Sequence, residues 1–249
     1  MDTPLDILAQ REHWVAVNKP AGLSVHESSY TGPREQTVIG LLRSQLRIGR
    51  LHAIHRLDHA TSGVLLVALD ARTAAMLSGQ VESRAVEKRY LAVVRGSPDA
   101  EFTVDHALAG AEGKGAPKAA LTRFRTLARV ALPIPLARHP EARYALVEAL
   151  PETGRYHQIR RHLKHAAHPI VGDVKYGKGE HNRLFRQHFG VHRLLLHAQG
   201  LRLTDPVTGE VVQIEAPLDA EFAKALGVFG TPGELNLSAK DAKDAKKSE

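Results

Sequence analysis

The chain has 249 residues, 43% of them hydrophobic and none of them cysteine, which is enough for one large or two modest cores and excludes disulfides and thiolate metal sites. Its formal charge is +7, and residues 154–193, with nine Lys/Arg against two acids, carry the whole of that excess. No apolar stretch reads as a signal peptide or a membrane span, so a cytoplasmic, non-membrane protein is expected.

In chain order, Trp14-Val15-Ala16-Val17 predicts a short strand that stops at the turn signature Asn18-Lys19-Pro20-Ala21-Gly22. The spacing of Val38, Leu41, Leu42 and Leu46 predicts a helix over 37–46. A continuous apolar run over 64–69 predicts a buried strand, and 71–86 follows as a helix. Strands are expected at 88–94, 102–108, 120–130 and 144–149, with a Gly-rich loop at 110–117 and a Pro-punctuated loop at 133–140. A basic helix is expected over 157–167, closed by Pro169. Short strands at 201–203 and 211–214 flank a turn at 205–209, and a last helix covers 218–226. Strands outnumber helices and many are joined by hairpin-like loops. The fold class is therefore α+β, with a mixed, largely antiparallel central sheet flanked by helices. Residues 1–230 show no linker and read as one domain. Residues 231–249, rich in Lys, Asp and Ala at the end, read as a disordered tail.

Three segments carry candidate chemistry. In His55-Arg56-Leu57-Asp58-His59-Ala60-Thr61-Ser62-Gly63 a lone carboxylate lies among cationic and polar residues just before the buried strand. Asp58 can serve there as a nucleophile, a general base or a turn residue. Arg56 favours its ionised form. In Lys88-Arg89-Tyr90, Tyr90 is either a core aromatic or a platform for an extruded base. In Gly154-Arg155-Tyr156-His157-Gln158-Ile159-Arg160, Arg160 is either an ordinary surface cation or a site residue, and Gly154 lets the backbone approach a phosphate at the helix entrance. The surrounding basic block includes Ile159, Leu163, Ile170, Leu184 and Phe185 as apolar anchors, so it reads as folded surface that meets a polyanion.

Taken together, His-Arg-Leu-Asp-x-x-Thr-Ser-Gly, Lys-Arg-Tyr and Gly-Arg-x-His-Gln-Ile-Arg resemble the RluA-type pseudouridine synthases. Val17-Asn18-Lys19-Pro20-Ala21-Gly22 and Leu194-Leu195-Leu196-His197-Ala198 match as well, and the resemblance runs from about residue 7 to 229. Residues 160–165, 168–173 and 176–183 are further similar to the subgroup that modifies uridine 65 of tRNA. No S4-type RNA-binding domain is expected ahead of the catalytic domain.

The resemblance implies a pseudouridine synthase fold with an RNA-binding cleft. It makes Asp58 the catalytic carboxylate. Arg56 would fill the space left by the flipped base, Tyr90 would stack on the uracil, Arg160 would pair with Asp58, and Leu196 would form an apolar wall. The reaction is an isomerisation, so no cofactor and no metal are expected. The partner is tRNA, with an rRNA uridine as the alternative. Three other classes are weighed against this. A zinc hydrolase would use His157, His162, His165 and His168, but 162/165/168 walk around a helix and His-Glu-x-x-His is missing. A non-catalytic RNA binder would need the basic block but not Asp58. A nucleotide-binding loop at 110–115 lacks the Walker spacing.

Overall fold

The structure, a computed structural model, describes residues 4–27, 36–136 and 138–230; the tail expected over 231–249 lies outside the described residues. Among these, ten strands form one sheet. The path runs β1 (Asp6–Gln10), β2 (Trp14–Lys19), β4 (Ser62–Ala68), β9 (Leu196–Thr204), β5 (Glu87–Arg95), β8 (Ala142–Pro151), β7 (Leu121–Leu132) and β6 (Glu101–Asp105). Two strands lie off that path: β3 (His52–Ala53) pairs with β4, and β10 (Val211–Glu215) pairs with β9. Every pairing is antiparallel except β4 with β9, where Ser62 faces His197 and Gly63 faces Ala198. The expected mixed, largely antiparallel sheet is what the chain forms.

Strand alternation sends side chains to two separate cores. Along β2, Val15 and Val17 face one core while Trp14 and Ala16 face the other. Along β4, Leu65 and Val67 part from Val64, Leu66 and Ala68 in the same way. The first core is covered by α1 (Val38–Leu46), α3 (Gln158–His165), α4 (Gly179–Phe189) and α5 (Ala220–Leu226), through Leu42, Leu163, Phe185 and Phe222. The second is covered by α2 (Ala71–Glu82) through Leu77. This explains why 64–69 is apolar at every position: both of its faces are buried. Side-chain caps start three of these helices, with Thr37, Asp70 and Asp219 accepting from the backbone N–H of Gly40, Thr73 and Phe222.

Several boundaries differ from the sequence expectation. The helix expected to reach 86 stops at Glu82, because Arg84 is left-handed (φ 62°) and the chain then turns into β5. The strand at 102–108 ends at Asp105; Leu108 makes only an isolated bridge to Lys118, which closes the Gly-rich loop. β9 starts five residues before the expected strand at 201. Strand β1 has no clear signal in the sequence, and α4 reads there only as basic surface. Its charged residues mask a weak apolar stripe of Leu184 and Phe185, although Gly190, left-handed at the C-cap, is a readable stop signal.

Candidate active site

The Asp58 loop is held from below by the 18–22 turn. Lys19 is fully buried, and its Nζ donates to the carbonyls of Pro20 (2.8 Å), Leu23 (2.8 Å) and His59 (3.2 Å); the Gly22 N–H donates to the same His59 carbonyl. Burial pushes the Lys19 ammonium down to about 7, with the Arg193 charge acting in the same direction and the Asp58 charge against it. At the other end of the loop, Gly63 has φ +108°, and a Cβ there would lie 2.2 Å from the Ala198 carbonyl oxygen. Only glycine lets β4 come this close to β9. The motif residues on either side of Asp58 thus fix its backbone.

The turn itself is closed by the Asp58 carbonyl, which accepts from the Thr61 N–H at 3.0 Å. The carboxylate is not spent on it. Its hydrogen bond is to Arg160 Nη1, at 3.0 Å from Oδ2, and its side chain remains 26% exposed. A partly exposed carboxylate that leaves its own turn to the backbone is available to other partners.

Arg160 is carried in by α3, whose first turn is stapled by Gln158. The Gln158 Oε1 accepts from Thr153 Oγ1 and from the Arg155 N–H, and its Nε2 donates to the Leu121 carbonyl and to Thr122 Oγ1. The side chain of Arg160 is only 8% exposed and forms a fork on a second carboxylate. Nε donates to Asp173 Oδ2 (2.7 Å) and Nη2 to Asp173 Oδ1 (2.9 Å). Burial works against the guanidinium charge, but the hydrogen bonds and charges of Asp173 and then Asp58 outweigh it and raise its pKa further. For Asp173, burial is likewise outweighed by Arg160 and by the N–H groups of Tyr176 and Lys175, so it stays ionised.

His157 completes the polar side. It is left-handed (φ 52°) and not in the helix, because it is the N-cap position that turns the chain into α3. Its ring stacks on Tyr156 at 3.7 Å, its Nδ1 is 3.1 Å from the Tyr176 hydroxyl, and its Nε2 lies 3.8 Å from Asp58 Oδ2. Burial pushes it down to about 4, so it is neutral at physiological pH.

Tyr90 lies on β5 where the register with β9 shifts between Arg89 and Leu91, an irregularity that re-aims a side chain. It is 9% exposed, and burial followed by the Asp58 charge raises its phenol, which is therefore neutral. Leu196 is buried at the start of β9, beside Ala92 of β5. Arg56 is exposed on the Asp58 loop and makes no ion pair among the described residues. The fold thus brings Asp58 and Arg160 into contact, sets Tyr90 within reach of the Asp58 charge, buries Leu196 nearby and leaves Arg56 at the surface.

Asp173, His157, Tyr176 and Lys19 were not among the expected site residues. The readable signals were Gly172-Asp173 and the lysine before Pro20, both inside the matching segments. The other histidines are occupied separately: His162 contacts Thr122 and the His106 carbonyl, His165 stacks on His106 at 4.0 Å, and His168 contacts the Arg95 carbonyl. No group of three or more metal-ligating side chains is found among the described residues. The basic block also divides. Arg160 and Arg193 turn inward, whereas Arg155, Lys164, Lys175, Lys178, Arg183 and Arg186 are exposed.

Comparison with known proteins bears on this arrangement. The sequence model described as RNA pseudouridylate synthase matches residues 13–165. The tRNA pseudouridine synthase C of Yersinia pestis is 44% identical over 239 residues, covering 92% of this chain and 92% of that protein. The protein of the same name from Pectobacterium carotovorum subsp. carotovorum is 42% identical over 243 residues; the match covers 94% of this chain but 64% of that protein's length. Among solved structures, Human RNA Pseudouridylate Synthase Domain Containing 1 superposes with a TM-score of 0.72 at 27% identity, covering 98% of this chain and 95% of that one.

Proposed function

Since the chain belongs to the RNA pseudouridylate synthase family, we propose that it isomerises a uridine of tRNA to pseudouridine, with Asp58 as the reacting carboxylate. The observation that carries this is the contact of a partly exposed Asp58 with the buried Arg160 at 3.0 Å. The tRNA substrate rests on the relatives named tRNA pseudouridine synthase C. Position 65 is the finer proposal, and rests on the subgroup resemblance of residues 160–183.

The uridine leaves its stack, at a cost of a few kcal/mol, and enters beside Asp58. The N1–C1′ bond breaks, the uracil turns, and C5 bonds to C1′; the C5 proton is lost and N1 gains one, so atoms and electrons balance without a redox partner. The carboxylate either attacks C1′ and is displaced by C5, or takes a proton from the sugar and returns it. Arg160 holds the carboxylate in place, and the neutral Tyr90 offers a ring face to the uracil. Arg56, exposed on the same loop, fills the gap left in the RNA. Leu196 backs the apolar wall, and the outward cations of 155–186 meet phosphates with salt-dependent affinity.

The test follows from the C5 proton. Wild-type protein should release tritium from tRNA carrying [5-³H]uridine, and Asp58→Asn should release none while binding the tRNA with unchanged affinity. Full release by Asp58→Asn would sink the assignment. Pseudouridine mapping in cells lacking the protein tests the target: loss at tRNA position 65 supports the subgroup, and loss at an rRNA site replaces it.

A further inference from the structure

Asp58 and Asp173 compete for one guanidinium, and they hold it unequally. Asp173 takes two of the three donors that Arg160 uses, in a fork at 2.7 and 2.9 Å, while Asp58 receives only Nη1, on a single oxygen. A planar guanidinium next to an unrestrained carboxylate settles into the two-point fork, because parallel charge-assisted bonds are the strongest arrangement open to it. Such a fork on Asp58 would draw a charge-assisted bond to each of its oxygens, so neither would be clear of the guanidinium when the sugar arrives.

Asp173 is built not to move. Its side chain has no exposure, and Oδ1 accepts from the N–H groups of Lys175 and Tyr176, both at 2.9 Å. Its carbonyl accepts from the Gly177 N–H and from Asn182 Nδ2, and Asn182 Oδ1 accepts from the Gly172 N–H. Gly172 has φ +81°, and a Cβ there would fall 1.8 Å from the Arg193 carbonyl oxygen, so only glycine brings the chain to this point. The loop from 172 to 177 and the first turns of α4 are thus tied together around one carboxylate.

We infer that Asp173 is a positioning residue for the reaction: it captures the fork of Arg160, limits that arginine to a one-point contact with Asp58, and so keeps the second oxygen of Asp58 free for the sugar. The inference rests on the reading of Asp58 as the reacting carboxylate. Asp173 touches neither substrate nor reacting atoms and acts only through Arg160.

The experiment uses the full chain and tritium-labelled tRNA under single-turnover conditions, with tRNA affinity measured in parallel. Asp173→Asn keeps the shape and an acceptor for the Lys175 and Tyr176 N–H groups but gives up the charge that holds the fork. Its rate constant at saturating protein should fall by about 10²-fold, the scale of a small misplacement of a reacting group, with tRNA affinity within about threefold of wild type. In an Arg160→Ala background the same substitution should add less than about threefold, because a residue that acts through Arg160 has nothing left to act on. A wild-type rate in Asp173→Asn, or losses from the two substitutions that multiply, would overturn the inference. If Asp173→Asn does not fold, Arg160→Lys decides: a point charge cannot hold the fork, so a loss of at least about 10-fold at unchanged tRNA affinity supports the inference and a full rate overturns it. A wild-type protein inactive on every RNA tested would instead remove the functional reading, and this inference with it.

Discussion

Two buried arginines lie beneath the ends of the same loop, and their surroundings are opposite. Arg160 is 8% exposed and sits between two carboxylates; Arg193 is 10% exposed and is held mainly by neutral acceptors. Those are Ser62 Oγ at 2.8 Å and the carbonyls of Leu194 (2.9 Å) and Leu196 (3.1 Å), together with the half-exposed Asp219 carboxylate. The pKa of Arg160 is raised, whereas burial lowers that of Arg193 despite Asp219 and Glu221. Arg160 contacts two carboxylates, and the one on Asp58 receives a single hydrogen bond from it. Arg193 contacts one carboxylate, that of Asp219, among the described residues, and it works as a clasp between the β4 start, the β9 start and the α5 cap. The two arginines are alike in side-chain burial and differ in the number of carboxylates each one contacts.

The comparison breaks first at Asp58. Asp58→Asn should lower the single-turnover rate by at least about 10³-fold, the scale of losing a reacting group. Its stability should change by only about 1 kcal/mol or less, since Arg160 keeps its fork on Asp173 and the lost pair is partly exposed. Rate measurement and thermal melting check the two halves.

Arg193→Ala should show the reverse pattern. Opening the clasp removes a buried cation from a paired carboxylate and several acceptors, a cost of about 3 kcal/mol. The melting temperature should drop by roughly 6–12 °C. The rate per folded molecule should stay within about threefold of wild type. An Arg193 variant that melts normally but does not react would erase the distinction between the two regions.

Tyr90 sharpens the reactive side. Tyr90→Leu should cost about 10- to 10²-fold in rate by removing the stacking face, the usual scale for base–aromatic contacts. Tyr90→Phe keeps that face and isolates the contribution of the hydroxyl. The readout is the single-turnover rate of each.

One effect, dependent on pH, is shared by both regions. His157 beside Asp58 and His197 beside Ser62 are each pushed down to about 4, chiefly by burial. Unfolded histidine takes up its proton near 6.5, so between 6.5 and 4 the unfolded chain binds protons that the folded chain refuses. Stability is full above about 6.5 and is lost as pH falls toward 4, at up to about 1.4 kcal/mol per pH unit for each of the two. Melting curves between pH 7 and 4.5 measure the slope, and His157→Gln or His197→Gln should each flatten it. An unchanged slope in both variants would assign acid sensitivity to other groups.

Much of the sheet was legible because its strands leave periodic traces. β2, β4, β5, β7 and β8 were each expected within a few residues of where they lie, and Asp58 was expected on a loop feeding β4. The misses share a cause. β1 is short and only partly buried, so its alternation is weak, and α4 exposes charged residues around a narrow apolar stripe that reads as surface. At the site, Asp58, Tyr90 and Arg160 could each be named from their motifs, but the motif of Arg160 pointed to one partner where there are two.

The amino-acid order by itself determined the α+β class, the family resemblance and the carboxylate on which the chemistry is proposed to turn. Those properties are local: alternation, turn residues and short motifs are set by neighbours along the chain. Only the tertiary structure decided how charge is shared. Arg160 meets Asp58 across 102 positions and Asp173 across 13, through the β4–β9 junction and a glycine-dependent loop. Contacts between side chains so far apart follow no period, and a guanidinium's choice between two carboxylates depends on geometry that only the packed chain supplies.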